Sequence, residues 1–355
     1  MAPAADSEQP GDPAPARGAV VALRFADGAL WALDQTRLPW AEVELELRSA
    51  ADVVAAIKRL SIRGAPLIGV AAAYGVALEL ARDPESLDRA CRALLDARPT
   101  AVNLAHAVTG IRDAVAASDT GDRATTALAR AHELHAREVA ASETLAHHGA
   151  ELLSGRRRLL THCNTGALAA PGRGTALAVV AELARRAEIE LVLVAETRPL
   201  LQGARLTTYE LERLGIDHAL VVDGAGAGLI AAGEVDAVIV GCDRVAANGD
   251  VANKVGTYAH ALAAGAAAIP FVVVGPTSTI DPATPAGALI EIERRAGDEV
   301  LRVSSEMGPA AIATPGTRAI NPAFDITPAA LVTALVTERG VASPARGESV
   351  LALLS

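Results

Sequence analysis

Residues 237–244 read Ala237-Val238-Ile239-Val240-Gly241-Cys242-Asp243-Arg244: a short, almost wholly apolar run that ends on a glycine and then on chemically active side chains. The pattern recurs. Residues 159–162 are followed by Cys163-Asn164-Thr165-Gly166, residues 190–195 by Glu196-Thr197-Arg198-Pro199, and two more runs stand at 219–222 and 271–275. Helical periodicity fills the intervals at 175–187, 206–214, 229–232 and 255–264. Near-continuous apolar strands separated by helices indicate a parallel sheet covered on both faces. With right-handed crossovers this predicts an α/β, Rossmann-like doubly wound domain over residues 156–355. In that architecture ligands bind beyond the carboxyl ends of the strands, where the Cys163 and Asp243 segments lie.

Upstream the pattern differs. Residues 19–25 and 29–33 read as strands flanking the turn Ala26-Asp27-Gly28. Ser49 is placed to cap a helix carrying Val53, Val54, Ile57 and Leu60 on one face. Helical stretches follow at 67–81, 87–97, 102–117 and 123–153, so residues 18–155 are expected to form a small sheet with a helical bundle. Residues 1–17, rich in Ala, Pro, Asp and Glu, read as a disordered tail with no signal-peptide pattern.

With 355 residues, 51% hydrophobic and 21% charged, the chain can bury a large core. Its net charge of −10 argues against a general nucleic-acid or anionic-membrane binder. No apolar run is expected to reach the roughly 18 residues of a membrane helix. Cys91, Cys163 and Cys242 form no CxxC pair, so zinc and redox chemistry are not expected and the reading is of a metal-free cytoplasmic chain. Of 32 basic residues only Lys58 and Lys254 are lysines, and asparagine occurs at five positions. In a chain that prefers Ala, Arg and Gly, those rare residues point to local demands.

A thiol at a strand end near helix N-termini, as Cys163 is placed, can become reactive, although a buried Cys is also a good small apolar residue. His162 is not its evident base, because strand neighbours point to opposite faces. Asp243, flanked by apolar strands, suits a general acid or base, or else pairs structurally with Arg244. Asn253 reads as the cap of a helix beginning near Lys254, an arrangement suited to phosphate. Arg63, before Pro66, and Arg98 stand at two further helix starts. The glycine-rich 224–228 fails a dinucleotide fingerprint at Leu229, and His132-Glu133-Leu134-His135 lacks zinc-protease spacing.

In this order, 63–69 (RGAPLIG), 98–104 (RPTAVNL), 161–168 (THCNTGAL), 196–205 (ETRPLLQGAR), 241–258 (GCDRVAANGDVANKVGTY) and 321–328 (NPAFDITP) closely resemble the methylthioribose-1-phosphate isomerase family. All five asparagines and Lys254 lie inside these stretches. The resemblance implies a cofactor-free, cytoplasmic, homodimeric enzyme of methionine salvage that converts 5-methylthioribose 1-phosphate to 5-methylthioribulose 1-phosphate. It implies Cys163 and Asp243 as the catalytic pair, Arg63, Gly64, Ala65, Arg98, Gln202, Asn253 and Lys254 as substrate-binding residues, and no metal. The same superfamily holds ribose-1,5-bisphosphate and 5-deoxyribose-1-phosphate isomerases and regulatory subunits of a translation initiation exchange factor, which are the alternatives. Two departures are His106, where the family often carries Trp, and the glycine-rich loop 224–228.

Overall fold

The computed structural model describes residues 18–98 and 101–355; the expected tail, 1–17, lies outside the described residues, as do Pro99 and Thr100. The chain opens with an antiparallel sheet of β1 (Leu23–Ala26), β2 (Ala29–Leu33) and β3 (Glu44–Leu47). The expectation omitted β3, whose single buried residue, Leu47, is too little pattern to reveal a strand. Five helices follow: α1 (Ala50–Lys58), α2 (Ala65–Arg82), α3 (Leu87–Leu95), α4 (Val102–Ala116) and α5 (Arg123–Leu152). Ser49 caps α1 as expected, its side chain accepting from Asp52 N.

Helix α2 corrects one expectation. Its 18 residues have a mean hydropathy of 1.3, enough in length and composition to cross a membrane, yet 78% of them are buried inside the protein. A helix apolar on all sides belongs in a core, and α2 packs against α1, α3, α4 and α5.

The second half of the chain runs β4 (Arg158–Thr161), α6 (Ala176–Arg185), β5 (Leu191–Ala195), α7 (Thr208–Leu214), β6 (His218–Val221), α8 (Gly226–Ala231), β7 (Ala237–Val240), β8 (Arg244–Ala246), β9 (Val251–Lys254), α9 (Thr257–Ala266) and β10 (Phe271–Val274). It closes with β11 (Ile280–Asp281), α10 (Asp298–Leu301), β12 (Arg302–Val303), β13 (Ala310–Ala311), β14 (Phe324–Thr327), β15 (Ala334–Thr337) and β16 (Gly340–Ala342). All five expected strands are present as β4, β5, β6, β7 and β10.

The main sheet has the order β16-β15-β10-β7-β4-β5-β6, parallel except for the β15–β16 hairpin. Counted along the chain, its six parallel strands lie in the order 3-2-1-4-5-6, that of the Rossmann fold. Side chains divide by parity. Leu159, Val192, Val194, Ile239 and Val272 enter the core under α5 and α6, whereas Leu160, Leu193, Val238, Val240 and Val273 enter the core with α9. A smaller sheet, β11-β8-β9-β14, sits beyond the carboxyl end of β7.

Helix α5 serves both halves: Ala127 and Ala131 pack with the N-terminal helices, Leu145, Ala146 and Ala150 with the sheet. Its contact with α6 depends on Gly149, where a Cβ would lie 2.4 Å from Cγ2 of Val179, a stiff, fully buried neighbour. Gly149→Ala is therefore expected to lower stability by about 1–3 kcal/mol through overpacking, and Val179→Ala in the same chain to recover part of it. Denaturant unfolding of the two variants checks this; a Gly149→Ala protein as stable as the parent contradicts it.

Candidate active site

Between β4 and β7 the strand order reverses, and the segments leaving the two carboxyl ends diverge to open a crevice. Cys163 leaves β4 and Asp243 leaves β7; both line one cavity of about 250 Å³. Arg63, Gly64, Ala65, Arg98, Gln202, Asn253 and Lys254 line it too, so all nine sequence-predicted site residues come together in one place.

Local structure fixes each of them. Cys163 takes a positive φ of 64°, held by two threonines: its N–H donates to Thr197 Oγ1 (2.8 Å) and its carbonyl accepts from Thr207 Oγ1 (2.6 Å). Thr197 itself has φ 65° and donates its hydroxyl to Ala195 O. Arg63 reaches across from the N-terminal half and forks onto the Asn164 side chain (2.9 Å) and carbonyl (3.1 Å). Gly64 follows at φ 98°, and a Cβ there would lie 2.3 Å from Ala169 O. Only glycine lets the start of α2 approach the loop that carries Cys163 so closely.

The expectation of a helix starting near Lys254 is overturned. Residues 244–254 form an antiparallel hairpin, β8 paired with β9 at Arg244↔Ala252 and Val245↔Val251, turning at Asn248-Gly249. Asp243 N donates to Ala252 O, so the hairpin folds Asn253 and Lys254 back beside Asp243. Helix α9 begins only at Thr257, with Gly256 as its cap; Asn253 donates to Thr257 Oγ1 from the strand (3.0 Å). Arg244 pairs with Asp281 (3.6 Å), not with Asp243, which leaves the carboxyl to the cavity.

The electrostatics are those of ionisable groups withdrawn from water. Burial raises the Asp243 carboxyl above its ordinary range, opposed by Lys254, Arg98 and Arg63. It also raises the Cys163 thiol, opposed by Arg63 and Lys254, and lowers Lys254, opposed by the charges of Cys163 and Asp243. The Lys254 ammonium is pinned by Ala323 O (2.8 Å) and lies 4.5 Å from the centre of the Phe324 ring. His162 is buried, donates from Nε2 to Val255 O (2.8 Å) and is pushed down to about 4 by burial and then by His260, which favours its neutral form. Among the described residues no cluster of His, Cys, Asp and Glu is arranged to hold a metal ion.

Sequence reading missed several wall residues, among them Gln35, Arg295 and Ser304, while Arg205 lies in the quoted stretch 196–205. Arg295 is held by Glu299 and by Glu293, which also pairs with Arg98 (2.9 Å), so its place depends on tertiary partners and not on a motif. The two departures lie away from the cavity wall, the second at the strand-to-helix turn between β6 and α8. His106 is exposed on α4, and 224–228 form a turn and the start of α8; neither contributes to the cavity wall.

Residues 61–344 match the initiation factor 2 subunit family. A methylthioribose-1-phosphate isomerase of Anaeromyxobacter dehalogenans is 50% identical over 323 residues, 90% of this chain and 93% of that protein. One of Parasynechococcus marenigrum is 48% identical, over 93% and 96%. The crystal structure of 5-methylthioribose 1-phosphate isomerase from Pyrococcus horikoshii superposes with a TM-score of 0.83 at 35% identity, covering 93% of each chain. A structure from A. fulgidus titled translation initiation factor eIF-2B, subunit delta, gives 0.82 at 36%, covering 95% and 99%. Matched along nearly its whole length in sequence and in fold, the chain belongs to the methylthioribose-1-phosphate isomerases of the initiation factor 2 subunit family.

Proposed function

We propose that the chain converts 5-methylthioribose 1-phosphate to 5-methylthioribulose 1-phosphate, an aldose–ketose isomerisation in methionine salvage that uses no cofactor. What carries this reading is one arrangement: a thiol and a carboxyl at the two strand ends flanking the β4/β7 reversal, lining one cavity with Arg63, Arg98 and Lys254. The names of relatives about 50% identical over nine-tenths of the chain support it. The same reading takes residues 18–155 as an N-terminal part and 156–355 as the catalytic part, acting in the cytoplasm as a homodimer.

The substrate's anomeric carbon bears phosphate, so no free aldehyde is available and the ring must open with the phosphate attached. Hydrogen then passes between C2 and C1. Arg63, Arg98 and Lys254 hold the phosphate, with Gly64, Ala65, Gln202 and Asn253 completing the substrate's surroundings and fixing C1 and C2. Asp243 moves a proton to or from a sugar oxygen, a task suited to a carboxyl raised by burial. Cys163 assists at the reacting carbons, as acid or base or by stabilising the transition state.

The A. fulgidus title raises a non-catalytic alternative, but a regulatory subunit needs neither the thiol nor the carboxyl in the cavity. A bisphosphate substrate needs a second cationic cluster. Its two leading candidates are otherwise engaged: Arg198 donates to the carbonyls of Pro199, Val300 and Arg302, and Arg205 to those of Gln35, Thr36, Leu38 and Leu200. Arg205 nevertheless lines the cavity with Arg59 and Arg295, so the apolar 5-substituent rests on the substrate named for the relatives and not on a lack of charge.

Turnover of 5-methylthioribose 1-phosphate, followed by phosphorus NMR without added metal or nucleotide, tests the activity. Cys163→Ala and Asp243→Asn are each expected to lower kcat by roughly a hundredfold or more with little change in Tm. A folded variant that turns over normally removes that residue from the mechanism. Lys254→Ala is expected to raise KM more than it lowers kcat, because a phosphate anchor acts in ground and transition states alike; a loss confined to kcat contradicts that role. In competition with ribose 1,5-bisphosphate, the methylthio substrate is expected to have the higher kcat/KM. A tenfold preference for the bisphosphate, about 1.4 kcal/mol, reassigns the chain to the sister activity.

A further inference from the structure

Thr197 is fully buried and has a φ of 65°, in the left-handed region. A β-branched residue there is a backbone outlier, and such outliers persist only where their surroundings over-determine them. Cys163, whose N–H donates to the Thr197 hydroxyl, stands at φ 64°. Two hydrogen-bonded residues thus share one disfavoured conformation, and one of them carries the candidate catalytic thiol.

What holds Thr197 there is Asp223. Strand β6 ends at Val221, and the glycine-rich 224–228 leads on into α8. Glu196 N donates to Val221 O, which carries the β5–β6 pairing one step beyond Ala195 and brings the two departing loops side by side. Asp223 Oδ1 then accepts from Thr197 N (2.8 Å), and its Oδ2 from Arg198 N (2.7 Å). Each carboxylate oxygen takes one of two successive N–H groups, both in charge-assisted bonds. Successive N–H groups that converge in this way form an anion-binding concavity, and here the anion is a side chain of the same protein.

With that backbone fixed, the Thr197 hydroxyl has a defined role. It donates to Ala195 O (2.9 Å), which leaves Oγ1 to accept from Cys163 N. Neither Asp223 nor Thr197 lines the cavity, so neither is placed to touch the substrate. Their route to the chemistry is the Cys163 backbone, from which the thiol side chain departs. Resting on the isomerase reading above, we propose that Asp223 is a positioning residue for Cys163 that acts through Thr197.

The test uses the full chain with 5-methylthioribose 1-phosphate. The thiol is read separately, by the rate at which iodoacetamide alkylates Cys163, mapped by peptide mass against Cys91 and Cys242. Asp223→Ala and Thr197→Val are each expected to lower kcat by roughly tenfold, the worth of one hydrogen bond, with little change in KM. Each is also expected to speed alkylation of Cys163 severalfold, because a thiol freed from its loop gains access to water. Thr197→Ser keeps the hydroxyl and is expected to stay close to the parent in both readings. The double variant is expected to be no worse than either single one, since both act through one hydroxyl. If Asp223 only braces the fold, Asp223→Ala lowers Tm while the folded protein keeps the parent's kcat and alkylation rate, or its loss adds in full to that of Thr197→Val. Either result overturns the assignment. Where Asp223→Ala does not fold, Asp223→Asn, with one acceptor oxygen for two N–H groups, is read in the same way. A parent protein that does not turn over the substrate overturns the isomerase reading, and the alkylation rates then decide by themselves whether Asp223 positions the thiol.

Discussion

Strands β4 and β7 are hydrogen-bonded neighbours whose chains leave in opposite directions, β4 toward β5 and β6, β7 toward β10 and β15. Right-handed crossovers require this wherever a parallel sheet is extended first on one side and then on the other. Between the two departures nothing can close over the strand ends, and a crevice is left. Everything chemical in this protein is arranged around that gap. The loop after β4 presents Cys163 in a left-handed backbone held by Thr197 and Thr207, and the hairpin after β7 returns Lys254 to the side of Asp243.

Withdrawing these groups from water moves each toward its uncharged form: Asp243 and Cys163 upward, Lys254 downward. Their mutual attractions oppose the shift without cancelling it. A phosphate entering among Arg63, Arg98 and Lys254 changes the balance in one direction. Its negative charge favours the ammonium form of Lys254 and disfavours ionisation of Asp243 and Cys163. In the proposed reaction the bound substrate thus helps prepare a protonated Asp243, the form able to deliver a proton to a sugar oxygen as the ring opens.

The sequence made β4, β5, β7 and β10 legible because they are buried on both faces and read as continuous apolar runs bounded by turns. The nine candidate site residues came from the resemblance of their motifs to the isomerase family, and among them the rarity of asparagine and lysine marked Asn253 and Lys254. Much of what escaped the reading was set by pairing at a distance. The 244–254 hairpin has only three residues in β8 and four in β9, too few for a period of two to register, so Asn253 and Lys254 looked like a helix start. Strand β16 has only three residues, and β15 was overlooked although it is as long and as buried as β7 and β10. Arg295 and Gln35 carry no local signal: one is placed by Glu293 and Glu299, the other by Ser61, Leu168 and Arg205.

The two halves of the chain meet at the site through a buried polar relay. Arg63 donates to the Asn164 carbonyl oxygens, and the Asn164 amide donates to Glu210 at 2.7 Å. Glu210 also accepts from Ala167 N and Leu168 N, so three N–H donors of one loop converge on one carboxylate. Burial pushes that carboxyl up to about 7, while those donors and Arg63 favour its charged form. Gly166 leaves it room, since a Cβ there would lie 2.2 Å from Oε2. A cation that faces the substrate and the loop that carries the thiol are therefore joined through a single asparagine. Displacing Arg63 deprives Asn164 of its donor, Glu210 of a compensating charge and the Cys163 loop of its anchor together, which makes phosphate binding and thiol placement one structural condition instead of two.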